Sequence, residues 1–156
     1  MTMSRFPSYS KLTKPSRLPP PTIDLPLRAY IPEEYVPDLN TRLSLYQNLV
    51  KLEKVEQVED LAHEFSDRFG SPPPEVKNLL YMVKIKALAG KAGIESISTE
   101  QGQIILRLFQ GIQFNKQKLE PVRDGIHLGL SQLRLNPKRL GKEWQGVLEE
   151  VLKRVG

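Results

Sequence analysis

From residue 38 onward the chain falls into a helical rhythm of apolar positions. Leu39, Leu43, Tyr46 and Leu49 recur at spacings of four, three and three, which predicts a helix over about 38–52 with those side chains on its core face and Asp38 as N-cap. Val55, Val58, Leu61, Ala62, Phe65 and Phe69 predict a second helix over about 55–69. Its other flank is strongly acidic, carrying Glu53, Glu56, Glu59, Asp60, Glu64 and Asp67. Gly70 suits the left-handed residue just past a helix end. In the run Ser71-Pro72-Pro73-Pro74, Pro72 and Pro73 each precede a proline and are pushed out of the helical region. Only Pro74 can open the next helix, where its missing N–H costs nothing, and Glu75 then meets the positive helix end. That third helix is expected over about 74–91, with Val76, Leu79, Leu80, Val83, Ala87 and Leu88 turned to the core and Gly93 ending it.

Beyond residue 93 the rhythm changes to alternation. Residues 94–98 and 103–109 read as the strands of a hairpin with a turn near Glu100–Gly102. Ile126, Leu128 and Leu130, then Leu133 and Leu135, predict a second hairpin or a pair of short strands within 126–136. Between them, residues 115–125 read as a short helix capped by Asn115 and strained at Pro121. Trp144, Val147, Leu148, Val151, Leu152 and Val155 mark a closing amphipathic helix over about 141–155. At the other end, 22–32 has a β-rich composition, but Pro26 confines it to an edge strand or an extended arm. The expected fold class is α+β: a helical cluster on small antiparallel hairpins, closed by the C-terminal helix, as one domain over 23–156. Residues 1–22, rich in Pro, Ser and basic side chains, are expected to be a disordered basic tail or linker.

Net charge changes the picture only once it is located. The chain carries +5 over 156 residues, a balance that invites a nucleic-acid reading. Residues 1–22 contribute +4, residues 23–106 contribute −4, and residues 107–156 contribute +5. The body is therefore bipolar, and the basic tail accounts for most of the excess. A nucleic-acid-binding accessory domain using the tail and Lys138, Arg139 and Lys142 stays as the alternative reading. With no cysteine, disulfides and thiolate chemistry are excluded. The start of the chain lacks the apolar core of a signal peptide, and no apolar run approaches the ~18 residues of a membrane span, so a cytoplasmic location is expected.

Catalysis needs convergent, perturbable groups. His63 and His127, the two histidines, fall on different predicted elements, and no phosphate-loop, dinucleotide or metalloprotease motif is present. No catalytic, metal or cofactor site is expected. What stands out instead is Asp67 in the last turn of the second helix, where a negative charge costs about 0.3–1 kcal/mol against the helix dipole. Glu64 shares its face and Arg68 partly offsets it. An acid held where its own helix disfavours it can be matched by cations on a partner surface. Two readings stand at this point: a local ion pair between Asp67 and an arginine elsewhere in the domain, worth little at an exposed site, or a docking patch with Glu64, Asp67 and Arg68 as the candidate partner-binding residues.

The strings "IDLPLRAYIPEEYVPDLNTRLSLYQNL", "EDLAHEFSDRFGSPPPEVKNLL" and "KALAGKAGIESI", in that order, resemble the C-terminal domain of the bacterial transcription-repair coupling factor. The match covers about residues 22–109, and the remainder fits by element pattern. The resemblance implies a parent that is an ATP-driven DNA translocase acting on stalled RNA polymerase and recruiting excision repair. It implies that this domain hydrolyses no ATP and serves as an autoinhibitory clamp. The clamp packs on the translocase's N-terminal domain, which otherwise binds the damage-recognition ATPase of excision repair. In the family, carboxylates of the E-x-x-D-R-F-G string face basic residues of that N-terminal domain; here they are Glu64 and Asp67. The motor is not in this chain, so docking in trans is expected if the domain is expressed separately.

Overall fold

The computed structural model describes residues 18–155 apart from 115–116 and 118–123. Most of the helix expected over 115–125, and residues 1–17 of the expected tail, lie outside the described residues. Within the stretch read as tail, Pro21 is buried and Thr22 is paired into a sheet. The elements run β1 (Thr22–Ile23), α1 (Leu39–Lys51), α2 (Val55–Phe69), α3 (Pro74–Lys91), β2 (Ile94–Glu100), β3 (Gln103–Leu108), β4 (Ile126–Leu128), β5 (Gln132–Leu135), α4 (Pro137–Leu140), a 3₁₀ turn (Gly141–Glu143) and α5 (Trp144–Val155).

The two expected hairpins form, and they do not stay separate. β3 pairs antiparallel with β5, Leu106 opposite Leu133, joining both into one five-stranded mixed sheet of order β1-β2-β3-β5-β4. β1 adds in parallel at the edge, Ile23 opposite Ile97, where Pro26 breaks no ladder. The β2–β3 turn is the two-residue Gln101-Gly102, both at positive φ (52° and 77°), the twist that tight hairpins favour.

The interior has two parts, and α3 serves both. Val76 and Leu80, near its start, pack with Val58, Leu61 and Phe65 of α2, Leu45 and Leu49 of α1, and Ile31 and Val36 of the arm before α1. Ile85, Leu88 and Ala89, further along, pack with the sheet and with Leu148, Val151 and Leu152 of α5. A helix buried on more than one side has no single apolar stripe, which is why periodicity missed Ile85 and Ala89. The arm is pinned at both ends: Leu25 sits in the sheet part and Ile31 in the helical part.

α1 corrects the sequence expectation. Leu45 and Leu49 are buried with Tyr46 beside them, whereas Leu39 and Leu43 are 57% and 50% exposed. The apolar spacing is real, but packing chose the neighbouring face. Arg42 explains part of the choice: its guanidinium turns inward to donate to the carbonyls of Val36 (2.8 Å) and Pro37 (3.1 Å). The Asp38 cap forms as expected, its carboxylate accepting from the Thr41 backbone N–H at 2.9 Å and the Thr41 hydroxyl at 2.7 Å. These bonds hold its pKa below the usual aspartate value.

Candidate functional site

α2 presents its acidic flank to solvent from end to end. Glu56, Glu59, Asp60, Glu64 and Asp67 are all exposed, opposite the buried Val58, Leu61 and Phe65. At 1.5 Å per residue, Glu56 and Asp67 stand roughly 16 Å apart along the ridge. Gly70 ends the helix at φ 88°, its N–H donating to the Ser66 carbonyl at 3.0 Å. Pro73 is extended (φ −72°, ψ 169°) and Pro74 opens α3, so the triple proline is the rigid spacer its sequence predicts.

The three candidate residues do not share one state. Glu64 and Arg68 form an i,i+4 ion pair of 3.2 Å, each side chain half exposed. Such a surface pair contributes at most about 1 kcal/mol. The Arg68 guanidinium also lies over Phe69, its Cζ 4.8 Å from the ring centroid. Asp67 is exposed and has no hydrogen-bond or ion-pair partner among the described residues. Within the described structure, then, Arg68 answers Glu64, and Asp67 keeps an uncompensated charge at the disfavoured helix end.

A tyrosine that sequence reasoning passed over braces this turn from within. The Tyr35 hydroxyl donates to the Gly70 carbonyl at 2.7 Å, with the Phe65 carbonyl 3.1 Å away. Its ring meets Phe69 at 5.7 Å between centroids, and Phe69 meets Phe65 edge-on at 6.3 Å. Desolvation raises the Tyr35 phenol pKa, so the group stays a protonated donor. Its signal lay in the quoted "AYIPEEYVPD" string, where two tyrosines alternate with prolines and acids.

The C-terminal cations are arranged differently. Arg139 pairs with Asp124 at 3.2 Å, both well exposed, while Lys138 and Lys142 are exposed. Trp144 is half-buried and packs on the sheet core, as its place in the apolar stripe predicts. His63 and His127 are both exposed, on α2 and β4. No helix among the described residues is long and apolar enough to cross a membrane.

Residues 25–119 match the family model of the TRCF domain. The chain belongs to the TRCF domain family. A transcription-repair-coupling factor of Staphylococcus haemolyticus is 34% identical over 120 residues, which is 73% of this chain and 10% of that protein. One from Rickettsia bellii is 39% identical over 90 residues, 58% of this chain and 8% of the relative. The chain thus spans about a tenth of the length of the curated relatives it matches. A crystal structure of the C-terminal domain of a transcription-repair coupling factor superimposes with a TM-score of 0.70 at 22% identity, covering 85% of this chain and 89% of that one. This TRCF domain therefore shares that α+β fold, and the family match spans α1 to α3, including Glu64, Asp67 and Arg68.

Proposed function

We propose that this TRCF domain is a non-catalytic, autoinhibitory interaction module of an ATP-dependent DNA translocase that couples transcription to nucleotide excision repair. It docks on the translocase's N-terminal domain through the C-terminal end of α2, in cis, or in trans where the two are separate chains. The excision-repair ATPase that needs the covered surface, and RNA polymerase, are then indirect partners in the cytoplasm.

One observation carries the reading: Asp67 keeps an exposed carboxylate, unpartnered among the described residues, at the helix end that disfavours it. A basic partner surface compensates that charge on contact and fixes orientation by complementarity. Glu64, with half of its side chain exposed, adds a second acceptor beside it. Coupling of about 1–3 kcal/mol between docking and exposure of the covered surface is enough for a switch. The nucleic-acid alternative gains less support, since Arg139 is already paired with Asp124 and Trp144 packs inward.

The test is docking of the chain to the separately expressed N-terminal domain by calorimetry. Glu64→Arg combined with Asp67→Arg is expected to weaken it at least tenfold, about 1.4 kcal/mol, with the circular dichroism unchanged. Unchanged affinity for the double reversal would refute the assignment.

A further inference from the structure

Beside the α2 terminus lies a cavity of about 320 Å³ lined by Tyr30, Pro32, Glu34, Tyr35, Ser71, Pro73 and Glu75. That volume is at the small end of ligand sites. Its walls are preset. The Tyr35 ring is held by the Gly70 carbonyl, and the Tyr30 N–H donates to the Glu75 carbonyl at 3.3 Å. Pro32 accepts from the N–H groups of Tyr35 and Val36, both at 3.1 Å, which fixes the turn between the two tyrosines.

The lining brings together two features that point to one ligand chemistry. Two flat aromatic rings and two prolines offer stacking surface. Glu34 and Glu75 bring two carboxylates, and neither has an ion-pair or hydrogen-bond partner among the described residues. Anions are repelled by that charge. Among the described residues, no group of three or more His, Asp or Glu side chains is placed to hold a metal ion. An arginine satisfies both features, because its planar guanidinium stacks on a ring while its N–H fork meets a carboxylate in two bonds. The Tyr30 ring already carries one guanidinium, although that one meets the phenol oxygen rather than a carboxylate. Arg28 Cζ lies 5.8 Å from its centroid, and Arg28 Nη2 donates to the phenol oxygen at 3.2 Å.

We propose that the cavity between Tyr30, Tyr35, Glu34 and Glu75 receives one arginine side chain of the protein surface that meets α2. Assigning that arginine to the docking partner rests on the proposed function; the arginine-binding capacity of the cavity does not. The cavity would set the register of docking, while the ridge of α2 supplies long-range attraction.

The experiment uses the whole chain, labelled with ¹⁵N, titrated with three capped tripeptides, Gly-Arg-Gly, Gly-Lys-Gly and Gly-citrulline-Gly. The arginine peptide is expected to shift the amides of Glu34, Tyr35, Ser71 and Glu75 saturably at millimolar concentration. Citrulline, flat but uncharged, should leave them in place, and lysine should shift them several-fold less. Glu34→Gln with Glu75→Gln should abolish the response, with Glu34→Gln alone as the reserve variant should the pair not fold. Glu64→Arg with Asp67→Arg should leave it intact, so failure of the ridge and failure of the cavity are told apart. Equal shifts with citrulline or lysine, or an arginine response that survives loss of the glutamates, would overturn the proposal.

Discussion

The hydroxyl of Tyr35 and the carbonyl of Gly70, 35 residues apart in sequence, lie 2.7 Å from each other. This bond ties the arm before α1 to the turn that follows α2. It also connects the cavity to the acidic ridge: Tyr35 walls the cavity, and Gly70 closes the helix that carries Glu64, Asp67 and Arg68. Removing the hydroxyl should therefore loosen the site more than the domain. Tyr35→Phe is expected to cost about 1 kcal/mol, read by urea unfolding. Amide exchange should quicken locally at 67–70, with the α3–α5 region unaffected.

The two faces of α1 and α2 give a sharper contrast. Phe65 is fully buried where α2 meets α1 and α3, whereas Leu43 is half exposed. Phe65→Ala should destabilise the domain by about 3–5 kcal/mol. Leu43→Ala should stay within about 0.5 kcal/mol of the parent. Equal effects in denaturant titrations would contradict the placement of α1.

The contact between α3 and α5 predicts a dependence on acid. Lys84 and Lys153 reach the same Glu149 oxygen at 3.0 and 3.1 Å, and the Tyr81 hydroxyl donates to the Gln145 carbonyl at 2.7 Å. Burial pushes the Glu149 pKa up, but hydrogen bonds and charge from the two lysines outweigh it and hold the group below its usual value of 4.5. A depressed carboxylate pKa contributes stability that is present above the unfolded value and lost as pH falls through the folded one. Glu149→Gln should therefore lower the melting temperature near neutral pH. The difference from the parent should shrink as the pH drops below 4.5. A difference that persists undiminished in acid would assign the effect to packing alone.

Much of this molecule was legible locally. The span of α2, the Gly70 stop, the proline spacer and the entry of Pro74 into α3 are settled by backbone sterics over a few residues, so the sequence predicts them nearly to the residue. The β2–β3 turn is similar, since Gly102 accepts the positive φ that the tight loop needs. At the candidate site, the acidic ridge and the placing of Asp67 in the last turn were legible for the same reason. The pairing of Arg68 with Glu64 follows from helical geometry too, but its consequence, a lone Asp67 among the described residues, shows only when neighbouring elements are in place.

What the sequence by itself determined is where the helices and hairpins lie, how α2 ends and where its charge sits, because these follow from short-range sterics and periodicity. Tertiary structure alone decided that Leu45 rather than Leu39 faces the core and that α3 serves two cores. It alone decided that β3 joins β5 and that Tyr30 and Tyr35 meet Ser71 and Glu75 around one cavity. Each of those outcomes sets one surface against another from a distant part of the chain. Such a competition is won by the total area buried and the polar groups satisfied, quantities that no short window of sequence contains.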